Sequence, residues 1–188
     1  MSADTTAANK LMGRFDDHEL VWLFGYGSLI FKADFTYRSR RPASIRHWVR
    51  RFWQGSHDHR GTENAPGRVV TLIPQRGAVC QGLAYLITPQ VFDHLDLREK
   101  NGYLRFSTQM RFTDNTSTEG LVYIATEKNH AFLGPASAYE IARHIAGAAG
   151  PSGSNADYAI DLARALRALC ATDPHVFAVE ECLTRISD

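Results

Sequence analysis

The sequence carries almost no net charge, because 21 lysines and arginines are balanced by 20 aspartates and glutamates. Such a balance leaves no overall field to attract nucleic acid or anionic lipid, so neither is expected as a partner. No apolar run approaches the roughly 20 residues that cross a membrane, and no membrane association is expected.

Cysteine is scarce, and its three positions lack the spacing of a disulfide framework or a zinc site. Cys80, Cys170 and Cys182 are odd in number and contain no C-x-x-C pair. The first nineteen residues are polar and lack the apolar core of a signal peptide. These features predict a cytoplasmic protein with reduced thiols.

The chain also lacks internal repeats and low-complexity linkers. With 188 residues and 44% hydrophobic content, it is long enough to bury one substantial core. We therefore predict a flexible N-terminal tail over residues 1–19 and a single domain over residues 20–188.

Segments rich in β-branched and aromatic residues, bounded by turn residues, predict strands. They are VWLFGY at 21–26, WVRRFW at 48–53, RVVTLI at 68–73, AVCQGLAYLI at 78–87, FSTQMRF at 106–112 and GLVYIAT at 120–126.

Helices are indicated by their starting residues. Thr88-Pro89 opens a helix that runs to Lys100 and stops before Asn101-Gly102, and Ser137 with Glu140 forms a capping box that opens a second helix. Ser154 with Asp157 opens a third helix, and Asp173-Pro174 opens a short fourth helix. Strands and helices do not alternate strictly. This order favours an α+β fold with an antiparallel sheet or small barrel and helices packed outside.

A glycine-rich segment follows the first predicted strand. In FGYGSL, at 24–29, two glycines flank a tyrosine, and exposed N–H groups in such a loop can hold a carboxylate or an oxyanion. The spacing matches no nucleotide-binding motif, and Ser28 lacks the G-x-S-x-G frame of a hydrolase nucleophile. An anion-binding loop and a plain structural turn both remain open.

Basic residues are concentrated between residues 38 and 51, where no acid intervenes: Arg38, Arg40, Arg41, Arg46, Arg50 and Arg51. A docking face for RNA or anionic ligands is one interpretation. Because the neighbouring Trp48, Phe52 and Trp53 have the character of a buried strand face, a solvated strand edge is favoured.

His57 and His59 are two residues apart, so they would share one face of a strand and could bind a metal. No third ligand has diagnostic spacing, which favours a polar hydrogen-bonding loop. No metal site is predicted.

Glu99 is the most informative acid in the sequence. It follows Val91 and Leu95 at helical spacing, which places it on the apolar face near a helix C-terminus. Burial and the helix dipole would both raise its pKa, as acid–base chemistry near neutral pH requires. The alternative is an ion pair with Arg98 or Lys100 in solvent.

Four segments together resemble the ChaC branch of the γ-glutamylcyclotransferases over about residues 21–183. They are FGYGSLI at 24–30, RRFWQGSHDHRGTENAPGRVVTLI at 50–73, LDLREKNGY at 95–103 and GPSGSNADY at 150–158. The resemblance implies a small mixed, mostly antiparallel β-barrel with helices outside. It also implies a lyase that cleaves glutathione into 5-oxoproline and Cys-Gly.

The resemblance further implies a set of site residues. It assigns Glu99 as the general base and acid, and a substrate loop at Tyr26, Gly27, Ser28 and Leu29. From the chemistry of the reaction, we expect Tyr103 and one or more arginines, with Arg50 or Arg68 as the candidates, to bind substrate carboxylates, since a guanidinium can hold a carboxylate bidentately. The implied cyclisation needs no metal, nucleotide or other cofactor.

Two alternatives accompany this interpretation. One is a cyclotransferase that acts on other γ-glutamyl peptides or amines, and the other is a non-catalytic ligand-binding barrel. A serine hydrolase and an RNA-binding protein are less favoured. A small-molecule substrate is the expected partner, and no obligate protein partner is evident.

Overall fold

The computed structural model describes residues 4–12, 15 and 17–187. Residues 1–3, 13, 14 and 16 of the predicted tail, and residue 188 of the predicted domain, lie outside the described residues.

Five strands close into a barrel in the order β1-β3-β2-β4-β5. Their bounds are β1 Val21–Gly25, β2 Ser39–Ser56, β3 Gly67–Ile87, β4 Tyr103–Phe112 and β5 Ser117–Ala125. Neighbouring strands are antiparallel except β5 and β1, which run parallel and close the barrel. The predicted α+β fold, with a mixed and mostly antiparallel barrel, is confirmed.

Strand β3 contains two of the predicted strands. Its pairing with β2 shifts between Arg46 opposite Val79 and Trp48 opposite Pro74, so residues 75–78 bulge out of the ladder. The predicted strand at 68–73 lies before this bulge, and the one at 78–87 begins at its last residue.

Apolar side chains from all five strands are buried in the core, and burial of their surface is the main favourable contribution to folding. The fully or almost fully buried members include Leu23, Ile45, Leu72, Tyr85, Met110 and Leu121. Three helices pack outside the barrel: α3 (Ala138–Ala146), α4 (Asn155–Ala168) and α5 (Pro174–Ser187).

The two predicted serine caps are present. Ser137 accepts a hydrogen bond from the Glu140 amide and closes a capping box at the start of α3. Ser154 accepts one from the Asp157 amide at 3.0 Å at the start of α4. Helix α5 spans 14 residues and is longer than the short helix expected from Asp173-Pro174.

Helix α2 (Val91–Arg98) begins later than the sequence predicts. Residues 88–90 form tight turns instead, in which the Val91 and Phe92 amides donate to the carbonyls of Thr88 and Pro89. The helix also ends before Lys100, and Gly102 follows with a φ of +89°, a conformation that suits glycine.

The described part of the predicted tail makes defined contacts. It contains a short helix, α1 (Thr6–Lys10), in which the Asn9 side chain is buried. The flexible tail over residues 1–19 stays a prediction, and these contacts are what would order its described part. A polar side chain that bonds to backbone groups produces no hydrophobic periodicity, so sequence patterning could not detect it.

Residues 149–154 form a hairpin of two strands with two residues each, β6 (Ala149–Gly150) and β7 (Gly153–Ser154). Among the described residues, no helix has the length and apolar character needed to cross a membrane.

Candidate active site

Glu99 lies directly after α2, at one end of the barrel. Its amide donates to the Leu95 carbonyl at 2.8 Å, which completes the last helical turn. Leu95 is fully buried, whereas 18% of the Glu99 side chain is exposed. The predicted helical spacing thus carries the carboxylate from the core face to the wall of a cavity.

Two adjoining cavities meet at this carboxylate. The outer cavity has a volume of about 130 Å³ and the inner one about 50 Å³. Both are lined by Ser28, Glu99, Tyr103 and Tyr158. A molecule that occupies both cavities would therefore pass Glu99 at their junction.

The inner cavity brings together the predicted substrate loop. Besides the shared residues, its walls are Phe24, Tyr26, Gly27, Leu29, Val70 and Tyr123. A 3-10 helix, Ser28–Ile30, begins within this loop. The opening amides of a helix have no intrahelical partner and can receive a negatively charged group.

Tyrosine side chains form much of the inner wall. Burial raises the pKa of Tyr26 and of Tyr103 well above the usual value, and raises that of Tyr158 to about 12. The Tyr26 hydroxyl donates to the Tyr123 carbonyl, and the Tyr103 hydroxyl donates to the Val70 carbonyl. These rings remain neutral and shape the cavity, and they cannot serve as bases near neutral pH.

Arg98, the last residue of α2, organises the junction between the cavities. Its guanidinium pairs with Asp34 and donates to the Ser28 hydroxyl at 2.7 Å. Its Nε lies 3.3 Å from a carboxylate oxygen of Glu99. All three guanidinium nitrogens thus have protein partners, so Arg98 fixes the loop and the carboxylate in relation to each other.

The ion pair between Arg98 and Glu99 is the alternative environment that the sequence suggests for Glu99, but it does not lie in open solvent. Only 12% of the Arg98 side chain and 18% of the Glu99 side chain are exposed.

Burial raises the pKa of Glu99 above its usual value. Arg98 and His59 oppose the shift, while Asp34 and Asp58 act in the same direction as burial. A carboxyl group with a raised pKa exchanges protons closer to neutral pH, which suits it to act as both base and acid.

The outer cavity carries most of the charge. In addition to Glu99 and Arg98, its charged or titratable residues are Lys32, Asp34, Asp58, His59 and Arg60. Arg60 donates to the Ser154 carbonyl and lies over the Tyr158 ring, 5.5 Å from its centroid. Lys32 is exposed at the rim.

Arg50 does not line either cavity. It is 2% exposed, and its guanidinium donates to the Tyr26 carbonyl at 2.5 Å, to the Gln81 carbonyl at 2.6 Å and to the Asp173 carboxylate. With all its nitrogens engaged inside the protein, Arg50 supports the substrate loop from behind. Its predicted role in binding a substrate carboxylate finds no support in this geometry.

Arg68 is also buried away from the cavities. One of its terminal nitrogens donates to the carbonyls of Phe52 and Gly134, and its backbone amide donates to Asn155. These bonds connect β3 to β2, through Phe52, and to the chain outside the barrel, through Gly134 and Asn155. The predicted contact with substrate is again unsupported.

The two histidines of the 57–59 segment have hydrogen-bonding neighbours. One ring nitrogen of His59 lies 3.0 Å from the Ser152 hydroxyl and the other lies 3.2 Å from the Arg98 carbonyl. His57 lies 3.5 Å from the Asn101 amide nitrogen. Within the described part of the chain, no group of three or more His, Cys, Asp or Glu side chains is arranged to hold a metal.

The sequence did not identify Arg98, Arg60, Lys32 or Tyr158 as residues of this site. Tyr158 is buried on α4 among apolar residues, and it also lines both cavities. The one available signal is that Arg98 precedes Glu99 directly in the sequence. The direction of the Arg98 side chain could not be inferred, because it depends on where α2 ends.

The structure thus combines a closed barrel with a partly buried carboxylate beside a glycine-containing loop, an arrangement compatible with acid–base chemistry on a small molecule. The family model described as ChaC-like protein matches residues 21–186. The chain therefore belongs to the ChaC-like family.

Proteins similar to this chain include glutathione-specific gamma-glutamylcyclotransferase 1 of Danio rerio, which is 41% identical over 173 residues. That match covers 87% of this chain and 88% of the relative. Gamma-glutamylcyclotransferase 2-3 of Arabidopsis thaliana is 42% identical, with 83% and 84% covered.

A crystal structure of a yeast γ-glutamylcyclotransferase specific to glutathione has a TM-score of 0.84 to this chain at 32% identity. The match covers 89% of this chain and 97% of that one.

Proposed function

We propose that the protein is a γ-glutamylcyclotransferase that degrades glutathione to 5-oxoproline and Cys-Gly. The observation that carries the proposal is the placement of Glu99, partly buried and at the junction of two cavities, beside the loop from Tyr26 to Leu29. The names of the relatives supply the substrate class, and the charge of the outer cavity is compatible with it.

The reaction joins two groups of one molecule. The Glu99 carboxylate takes a proton from the γ-glutamyl α-ammonium, and the freed amine attacks the γ-carbonyl carbon. The protonated Glu99 then gives its proton to the nitrogen of the departing cysteine as the C–N bond breaks. The regenerated carboxylate takes the second proton from the attacking nitrogen, which becomes the lactam N–H, and this proton passes to the Cys-Gly amine, which leaves as an ammonium group. No water is consumed, and the enzyme's main task is to hold the substrate in a folded conformation.

The two cavities suggest the substrate's orientation. The γ-glutamyl end occupies the inner cavity, where amides at the start of the 3-10 helix receive its carboxylate or the developing oxyanion. The Cys-Gly end lies in the outer cavity, where Arg60 and Lys32 are the cations whose donors are least engaged. These two residues replace Arg50 and Arg68 in our assignment of substrate-binding cations.

Product analysis tests the activity. Purified protein incubated with glutathione should release 5-oxoproline and Cys-Gly in equal amounts, as measured by mass spectrometry, with no free glutamate. Parallel incubations with γ-glutamyl dipeptides and γ-glutamyl amines define the substrate range. If these compounds react and glutathione does not, the alternative cyclotransferase is correct.

Two glutathione analogues test the mechanism. N-acetylation of the γ-glutamyl nitrogen removes the nucleophile, so this analogue should be inert. S-methylation leaves the reacting atoms unchanged, so this analogue should still release 5-oxoproline. Release of N-acetylglutamate from the first analogue would show that water or a side chain attacks the carbonyl, and the cyclisation would have to be abandoned.

The Glu99→Gln variant tests the assigned base. It should lose turnover by about 100-fold or more, because general acid–base catalysis contributes on the order of 10²–10⁴. Glutathione binding, measured by calorimetry, should remain. Glu63→Gln changes an exposed glutamate outside both cavities and is the matched control. A folded Glu99→Gln protein with most of its turnover would refute the assignment.

We also propose a cytoplasmic location. The described structure has three free cysteines, of which Cys170 is exposed, and reduced thiols of this kind persist in a reducing compartment. Cell fractionation followed by immunodetection tests the location.

A further inference from the structure

The N-terminal segment, residues 4–12, docks on the turn that follows Glu99. Asp4 forms an antiparallel bridge with Asn101. The amide of Thr5 donates to the Lys100 carbonyl at 2.9 Å, and its hydroxyl donates to the Tyr103 carbonyl at 2.6 Å. The segment thus holds the outer side of the turn from Glu99 to Tyr103.

Asn9 makes the most buried contact in this segment and is 1% exposed. Its side-chain amide donates to the Tyr103 carbonyl at 3.0 Å, and its side-chain oxygen accepts from the Arg105 amide at 2.9 Å. One side chain therefore bonds to the backbone on both sides of residue 104, at the beginning of β4.

A second set of hydrogen bonds leads from Asn9 to the inner cavity. Its carbonyl accepts from the Arg105 guanidinium, which also donates to Asp96 at 3.0 Å. The Tyr123 hydroxyl donates to the other oxygen of Asp96 at 2.6 Å, and the Tyr123 carbonyl accepts from Tyr26. Tyr123 and Tyr26 both line the inner cavity.

We propose that Asn9 is a positioning residue for the reaction: through its bonds to Tyr103 and Arg105 it fixes the turn from Glu99 to Tyr103 from outside the cavity, and so keeps the Glu99 carboxylate in place. The proposal rests on the proposed function for the role of Glu99. The segment does not line either active-site cavity, so its effect on turnover is indirect. Small displacements of a catalytic group are costly, because reactivity depends steeply on alignment.

The test compares full-length variants. Asn9→Ala removes both side-chain bonds, and we expect kcat for glutathione to fall about tenfold while KM stays within about twofold. Asn9→Asp keeps an acceptor for the Arg105 amide but loses the donor to Tyr103, so its kcat should lie between those of Asn9→Ala and the wild type. Thr5→Val removes the hydroxyl donor and provides a second variant should Asn9→Ala fail to fold.

Val179→Ala supplies the control for general destabilisation. Val179 is fully buried on α5 and belongs to neither cavity. Its loss should lower the thermal stability and leave kcat unchanged.

Amide hydrogen exchange, followed by NMR, provides the readout that does not depend on activity. In Asn9→Ala, the amides of Glu99, Tyr103 and Arg105 should exchange about tenfold faster, while those of β2 and β3 remain protected. In Val179→Ala, any acceleration should not be confined to the turn.

Three results would count against the positioning role. They are unchanged kcat in Asn9→Ala, unchanged exchange in the turn, or a loss of activity that Val179→Ala reproduces at equal stability. If the wild-type protein does not convert glutathione, the proposed function fails, and the exchange experiment still decides whether Asn9 fixes the turn.

Discussion

At the scale of single residues, Glu99 is held in an environment that favours its protonated form. Burial raises its pKa, and Asp34 and Asp58 act in the same direction, while Arg98 and His59 only partly offset them. The proposed reaction needs the ionised form first and the protonated form second. A pKa closer to neutral pH reduces the cost of moving between the two.

The raised pKa predicts how stability and activity change with pH. A carboxyl group whose pKa is higher in the folded state contributes stability at low pH that is lost as the pH rises through the folded-state pKa. Glutamine does not ionise, so the Tm of Glu99→Gln minus that of the wild type should increase from pH 4 to pH 8. Calorimetric scans measure this difference. A difference that decreases with pH would show that Arg98 outweighs burial and that the pKa is lowered.

The raised pKa of Glu99 also predicts how kcat/KM falls on the acidic side of the pH profile, its acidic limb. In the wild-type protein, kcat/KM for glutathione should fall as the pH is lowered through a value above the roughly 4.3 of free glutamate. Arg98→Met removes the nearest cation, so the limb should move to higher pH in that variant. Movement to lower pH would contradict the proposed electrostatics.

The hydrogen bonding of Ser28 favours a role in shaping the loop over a role as nucleophile. Its hydroxyl accepts from Arg98 at 2.7 Å, and a serine nucleophile needs instead a base that accepts its proton. Ser28→Ala should lower kcat/KM by about threefold to tenfold, as expected for one hydrogen bond of roughly 0.5–1.5 kcal/mol. Steady-state kinetics measures the loss, and intact-mass spectrometry should show no γ-glutamyl adduct on the wild type. A trapped adduct on Ser28 would support a hydrolase.

At the scale of elements, Arg50 joins three parts of the fold. From β2 it reaches the carbonyl of Tyr26 after β1, the carbonyl of Gln81 in β3 and the carboxylate of Asp173. Asp173 also accepts from the Val176 amide at 3.1 Å and so caps the first turn of α5. The buried arginine thereby connects the substrate loop with the helical layer.

Arg50→Met should lower the free energy of unfolding by about 3 kcal/mol or more, because it leaves a buried carboxylate and two carbonyls without their partner. Urea unfolding measures the change. Arg46→Met, an exposed arginine of the same strand, is the control and should remain near wild type. Wild-type stability together with a raised KM for glutathione would instead restore the predicted substrate contact.

Local sequence signals located most elements because they act over a few residues. The serine caps at 137 and 154 and the two halves of β3 follow from such signals. The start of α2 was misplaced since Thr88 and Pro89 form turns, which their residue types also allow. The contacts of Asn9 depend on distant backbone groups and leave no local pattern. The hairpin at 149–154 is local, but its strands of two residues each are too short to show an alternating pattern.

The site was only partly predictable for the same reason. Glu99 and the loop at 26–29 follow from helical spacing and from resemblance, and both line the inner cavity. The arginines have identical chemistry wherever they lie, so sequence could not separate the buried Arg50 and Arg68 from Arg60 in the cavity. Only the tertiary placement of β2, β3 and the loop after β2 distinguishes them.

At the scale of the whole molecule, the site depends on closure of the barrel. The closing pair is β1 with β5, which align Leu23 with Leu121 and Phe24 with Val122. Strand β1 leads into the substrate loop, and β5 carries Tyr123, which also lines the inner cavity. The pairing of β1 with β5, called the seam below, therefore sets the spacing between two parts of the cavity wall.

Gly120 allows the two strands of this seam to approach. A Cβ atom at this position would lie 2.3 Å from the Trp22 carbonyl oxygen of β1, which is backbone and cannot move aside easily. Gly120→Ala should therefore push β1 from β5 and lower the free energy of unfolding by about 2 kcal/mol, within the usual range for overpacking. Because the displaced strand carries the loop, kcat/KM for glutathione should fall as well.

Gly147→Ala is the matched control, since a Cβ atom there would have no neighbour closer than 3.9 Å. It should have wild-type activity and a free energy of unfolding that is unchanged or slightly higher, because alanine restricts the unfolded chain. Urea unfolding and glutathione turnover, measured on both variants, test the seam. If Gly120→Ala matches Gly147→Ala in both measurements, the β1–β5 seam tolerates the added methyl group and does not set the width of the site.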